Sequence, residues 1–130
     1  ETYAKTINIE ALTMIDMASR QIIPAVVRYT KSLADTVIAV KGAGADASVQ
    51  VKLLDQVSSG LAQTKTALEK LQKAVEKAGA MQEGKEQAFF YKNVVCMAME
   101  DLRKPVDGLE MIVEKEAWPY PTYADLMFEV

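Results

Sequence analysis

Between Leu54 and Ala78, the residues Leu54, Val57, Leu61, Thr64, Leu68, Leu71, Val75 and Ala78 recur at alternating steps of three and four. That spacing places all of them on one stripe of an α-helix and has none of the two-residue alternation of a strand. A stripe of this length must be covered along its whole extent, so the rest of the chain has to supply partners to match. Two further patterns do so. Leu12, Ile15, Ser19, Ile22, Val26, Tyr29, Leu33, Val37 and Val40 form one, and Tyr91, Val95, Ala98, Leu102, Val106, Leu109 and Val113 the other. With glycine-bearing connectors at just two places, the simplest arrangement is an all-α, antiparallel bundle of three long helices, at about 3–41, 47–78 and 82–115. No linker or internal repeat divides the chain, so residues 1–117 read as the helical part of one domain and 118–130 as its tail.

Two prolines fall inside helical patterns. Pro24 removes a backbone donor and predicts a kink near Gln21 to Ile23, and Pro105 predicts a bend in the third helix, since the apolar register continues across it. Asp46 or Ser48 can cap the start of the second helix, and Gly79 can supply a left-handed residue at its end. Glu69 and Lys73, in the favourable i,i+4 order, mark a solvated face.

The chain has 130 residues, half of them hydrophobic, which is ample material for a single core. Its formal charge of −3 offers no electrostatic footprint for nucleic acid or an anionic membrane surface. No apolar run approaches the roughly 20 residues needed to span a bilayer. The opening ETYAKTINIE lacks the order of a signal peptide, so the chain reads as soluble and cytoplasmic. It begins at Glu1, in a stretch that already reads as ordered, as a piece of something longer would. Cys96, the single cysteine, sits in VVCMAM and reads as a buried thiol in a reducing compartment.

With no histidine at all, the chain cannot build a Ser-His-Asp or Cys-His device, a histidine-bearing zinc site or a helix-bundle di-iron site. Carboxylates at helical spacing, such as Glu110 and Glu114, lie among alternating charges, and GAGAD follows a helix rather than a strand, so it is a turn and not a phosphate loop. The residues therefore point to no catalytic, cofactor-binding or metal-ligating position. Seven methionines, among them Met14, Met17, Met97, Met99 and Met111, read as core filling. Phe89, Phe90 and Tyr91 are consecutive and cannot share one face, so at least one must point away from the bundle, towards another domain.

The tail, WPYPTYADLMFEV, sets large apolar side chains beside Pro119 and Pro121. The prolines hold Trp118 and Tyr120 extended, Thr122 reads as an N-cap, and Asp125 falls in the first turn of a short helix carrying Leu126, Met127 and Phe128. Large side chains gain roughly 1.5 to 3 kcal/mol each on burial, which offsets the ordering of the segment only against a shaped groove. Trp118, Pro119, Tyr120, Pro121, Tyr123, Leu126 and Phe128 are accordingly candidate docking or interface residues, against this bundle or a neighbouring body.

Three blocks carry a resemblance. NIEALTMIDMASRQIIPAVVRYT from Asn8, FFYKNVVCMAMEDLRKPVDGLE from Phe89 and the tail from Trp118 are similar, in order, to the C-terminal helical region of type III glutamine synthetase, the large bacterial glutamate–ammonia ligase. The middle helix matches in character only, and Ala124 stands where that family commonly has glycine. The resemblance implies a helical, non-catalytic appendage with a structural, oligomerisation or regulatory role. It further implies a parent that uses ATP and a divalent metal, magnesium or manganese, in a separate catalytic domain. Its partners would be that domain and neighbouring subunits of a cytoplasmic homo-oligomer. From periodicity alone the competing reading is a free-standing helical interaction or scaffold module.

Overall fold

The computed structural model describes residues 2–121. They form three helical rods and, among the described residues, no strand. The first rod joins α1 (Thr2–Met17) through a π turn at Ala18–Ile22 to α2 (Ile23–Gly42). The second is α3 (Ser48–Ala80), and the third joins α4 (Lys85–Phe90) through a π turn at Tyr91–Val95 to α5 (Cys96–Ile112). A 3₁₀ turn at Lys115–Ala117 follows.

The first π turn lies directly upstream of Pro24. The Ile23 N–H reaches back five residues to the Ala18 carbonyl, and Pro24, which has no N–H to offer, sits in the first turn of α2, where none is needed. The wider turn inserts one residue, and one residue is about 100° of helix. Downstream, the expected positions Ile22, Val26 and Leu33 are buried. Upstream the buried face moves back by one, to Ala4, Ile7, Ala11 and Ala18, and Leu12 is left 49% exposed. The uninterrupted stripe expected through Leu12 is corrected on this account. In the third rod the π turn falls at Tyr91–Val95, where there is no proline, and the helix assignment runs through Pro105.

The helix ends also differ from expectation. Asp46 does stop the first connector: its Oδ1 accepts the Ser48 N–H at 3.0 Å, and that bond holds its carboxyl below the usual aspartate range. Gly79, in contrast, stays within α3, and positive φ occurs instead at Gly44 (80°) and Gly84 (154°). The end of α3 is tied off from another element, because Gln87 Nε2 donates to the Ala78 carbonyl at 2.9 Å and the Met81 carbonyl at 3.2 Å. The third rod stops at Ile112 rather than Lys115: Val113 turns extended and is drawn into the core. Glu114 thereby leaves the helix, so it does not form an i,i+4 pair with Glu110.

Two apolar clusters fill the space between the rods. In the first, Ala4, Ile7, Ala11 and Ala18 meet Leu68, Leu71, Ala74 and Ala78, together with Tyr91, Val95, Ala98, Met99 and Leu102. Alanines spaced by seven let the first rod lie close to the other two. In the second, Ile22, Val26 and Leu33 meet Val57, Leu109, Val113 and Trp118. The Thr64 side chain is fully buried, and its hydroxyl is satisfied by the Gly60 carbonyl at 2.8 Å. Met99 is buried as expected, but Met97 and Met111 are 61% and 86% exposed, which corrects their reading as core.

Gly60 marks the closest approach of the second and third rods, since a Cβ there would lie 2.7 Å from Leu109 Cδ2, and Leu109 is 1% exposed. Gly79 has nothing within 4 Å. Overpacking costs about 1 to 3 kcal/mol, whereas alanine for glycine within a helix gains about 1 kcal/mol. Gly60→Ala is therefore expected to lower the unfolding free energy in urea, and Gly79→Ala to raise it. Thr64→Val keeps the shape and deletes the hydroxyl without orphaning the Gly60 carbonyl, which retains its helical bond. Its unfolding free energy in urea should stay within about 1 kcal/mol of wild type, or rise.

Candidate docking surface

The chain beyond α5 turns back on its own bundle. After the 3₁₀ turn, Trp118 is extended (φ −79°, ψ 129°), the conformation that a following proline favours. Its indole is 8% exposed and belongs to the cluster of Ile22, Val26, Leu33, Val57, Leu109 and Val113. Pro119 and Pro121 are exposed, and Tyr120 is half-buried against the same cluster. The Tyr120 hydroxyl is buried and has no hydrogen-bond partner among the described residues. Burial, and secondarily the nearby charge of Asp16, pushes the phenol above the usual tyrosine range. Of the seven candidate docking residues, the structure thus brings Trp118 and Tyr120 onto the seam of the bundle and leaves Pro119 and Pro121 outside it. Tyr123, Leu126 and Phe128, with the expected Thr122 cap and short helix, lie outside the described residues.

A second apolar surface lies at the start of the third rod. Of the consecutive aromatics, Tyr91 is buried with its hydroxyl 3.4 Å from Asn8 Oδ1, and Phe90 is half-buried with the Lys77 ammonium 5.5 Å from its ring centre. Phe89 is the one that points away, at 69% exposure. Val94 and Met97 are also exposed, and Met81, Lys85, Glu86, Phe89, Phe90 and Val94 enclose a groove of about 510 Å³. The consecutive aromatics signalled this surface in the sequence, but Val94 and Met97 carried no such signal. Cys96 is half-buried against the first cluster, not fully buried, and lies beside Tyr3, whose phenol is raised by burial and then by the thiol.

Among the described residues, no group of three or more Asp, Glu or Cys side chains is placed to hold a metal ion. No helix among the described residues is long and apolar enough to cross a membrane. Ion pairs such as Lys31–Asp35 and Arg103–Glu100 are solvent-exposed and contribute little. The seat of Trp118 and the groove beside Phe89 are apolar, whereas the groove lined by Ala4, Lys5, Asn8, Glu83, Lys85 and Tyr91 is mixed in polarity.

The family described as glutamine synthetase C-terminal domain matches residues 1–41, essentially the whole first rod. A glutamine synthetase of Butyrivibrio fibrisolvens is 31% identical over 132 residues, covering 100% of this chain and 19% of that protein. A glutamine synthetase of Bacteroides fragilis (strain YCH46) is 28% identical over 134 residues, covering 98% of this chain and 18% of that protein. The type-3 glutamine synthetase of Dictyostelium discoideum is likewise 28% identical over 134 residues, with the same coverage. The chain spans about one fifth of the length of these relatives. The similarity runs through all three rods and the segment after them, so along its whole length the chain is similar to the C-terminal part of glutamine synthetases.

Proposed function

We propose that this chain is the non-catalytic terminal module of a glutamate–ammonia ligase, with a role in stability, subunit packing or regulation. The observation that carries the reading is its end-to-end similarity to 19% of a protein named glutamine synthetase. The absence of histidine from the sequence agrees with it. In such a parent, a cytoplasmic homo-oligomer, ATP and magnesium or manganese would serve the ligation of ammonia to glutamate. The described residues of this chain offer no ligand set for the metal. The three rods form an antiparallel bundle bent at Pro24 and Pro105, and residues 118–130 are its docking segment, against the bundle, the catalytic domain or a neighbouring subunit. Ala4 to Ala18 share a cluster with Leu68 to Ala78, and Ile22 to Leu33 share the other with Val57, an opposite order along the two rods that supports the antiparallel reading.

The melting temperature of the 130-residue chain should not move on addition of ATP and magnesium. A clear rise would place a nucleotide site within the chain and overturn the non-catalytic assignment. Trp118→Ala should lower the unfolding free energy by about 3 kcal/mol or more, as expected for emptying a buried aromatic site. Deleting residues 118–130 should lower the melting temperature at unchanged sedimentation; loss of an associated species would instead place the segment at a subunit boundary.

A further inference from the structure

We propose that the apolar face of Met81, Phe89, Phe90, Val94 and Met97 is the seat of the polypeptide that precedes Glu1 in the parent ligase, a contact made within one chain. This rests on the reading of the parent given above. Isolated apolar side chains on a surface are ordinary, and Ile38, Val49 and Met111, on α2, α3 and the end of α5, are of that kind. Phe89 and Val94 differ because they border a groove that Met81 and Phe90 complete, and Met97, also exposed, follows on the same rod. A contiguous apolar patch of this sort is characteristic of an interface.

The path of the chain selects the occupant. Ala4 and Ile7, at the start of the first rod, pack with Ala78 and Tyr91, so the first rod begins at the end of the bundle where the patch lies. Lys5 and Asn8 line a second groove with Met81 and Lys85, and those two residues also border the apolar one. The two grooves adjoin across the start of the third rod. The segment that belongs to the other end, Trp118 and Tyr120, is seated on the second cluster. Since the matched region is 19% of the Butyrivibrio protein, most of a parent of that size lies outside this chain. What leads into Thr2 therefore arrives at the same end of the bundle as Phe89.

The seat is also held in place before anything binds. Gln87 ties the Met81 carbonyl, Asn8 meets the Tyr91 hydroxyl, and Lys77 lies over Phe90. A surface fixed in this way loses little further freedom on being covered. Its rim of Lys85 and Glu86 carries both signs, as the polar border of a contact between protein bodies does.

The test uses the full-length parent. Its gene is read upstream of Glu1, and the purified protein is treated with dilute peroxide while sulfoxide formation is followed at Met97 and at the isolated Met111. Met97 should oxidise several times more slowly than Met111, although both are exposed in this chain. In parallel, Phe89→p-benzoylphenylalanine is irradiated, and adducts are mapped by mass spectrometry. Adducts at single-subunit mass, joining Phe89 to peptides upstream of Glu1, are the expected result. Equal oxidation of the two methionines, an adduct at twice the subunit mass, or no adduct to the upstream segment would each overturn the proposal. If no ligase sequence precedes Glu1, the reading of the parent falls, and this proposal with it. If the ligase is present and active while Met97 oxidises as fast as Met111, this proposal alone falls.

Discussion

One extra residue in the helical ladder of the first rod decides which side chains face the other two. At Ala18–Ile22 the backbone bonds to the fifth residue back, and the buried stripe is handed from Ala4, Ile7, Ala11 and Ala18 to Ile22, Val26 and Leu33. Without that widening, continuing the lower stripe upstream would bring Leu12 inwards and turn Ala11 away. The first cluster would then receive a larger side chain where the fully buried Ala11 now sits. Small residues upstream and branched ones downstream are thus two solutions on one rod, joined by a turn that also accommodates the missing donor of Pro24.

Much of this was legible in the residues, and the failures have identifiable causes. Val57, Thr64, Leu68, Leu71 and Ala78 are buried as the second stripe predicts, and so are Tyr91, Val95, Ala98, Leu102, Leu109 and Val113 of the third. A regular α-helix preserves sequence spacing as spatial position, so the count of three and four suffices there. Leu12 was misplaced because a π turn breaks that proportionality without a signature of its own. Gln87 could not be anticipated as the cap of α3, since a side chain serving another helix's carbonyls is set by tertiary placement. Methionine spacing was uninformative as well: Met97 and Met99 are neighbours in composition and opposite in burial.

The surfaces were legible to a different degree. Trp118 announced itself by size and by the proline after it, and the structure seats it beside Leu109 and Val113. The partner of that indole, a cleft contributed by all three rods, has no local signal because its walls are far apart in sequence. Phe89 could be foreseen as an outlier by geometry alone. Its sharing a groove with Val94 involves the second π turn, at Tyr91–Val95, in which Val94 itself lies.

Division of the interior into two clusters has a consequence for how the molecule opens. Val106 is partly buried against both, while the fully buried members of the clusters are otherwise distinct. Cooperativity between the halves must then pass through continuous helix backbone and a narrow waist of side chains. Sub-global fluctuations can loosen the half containing Trp118 while the alanine-lined half keeps its amide protons protected. A terminal module built this way can yield at one pole and stay rigid at the other.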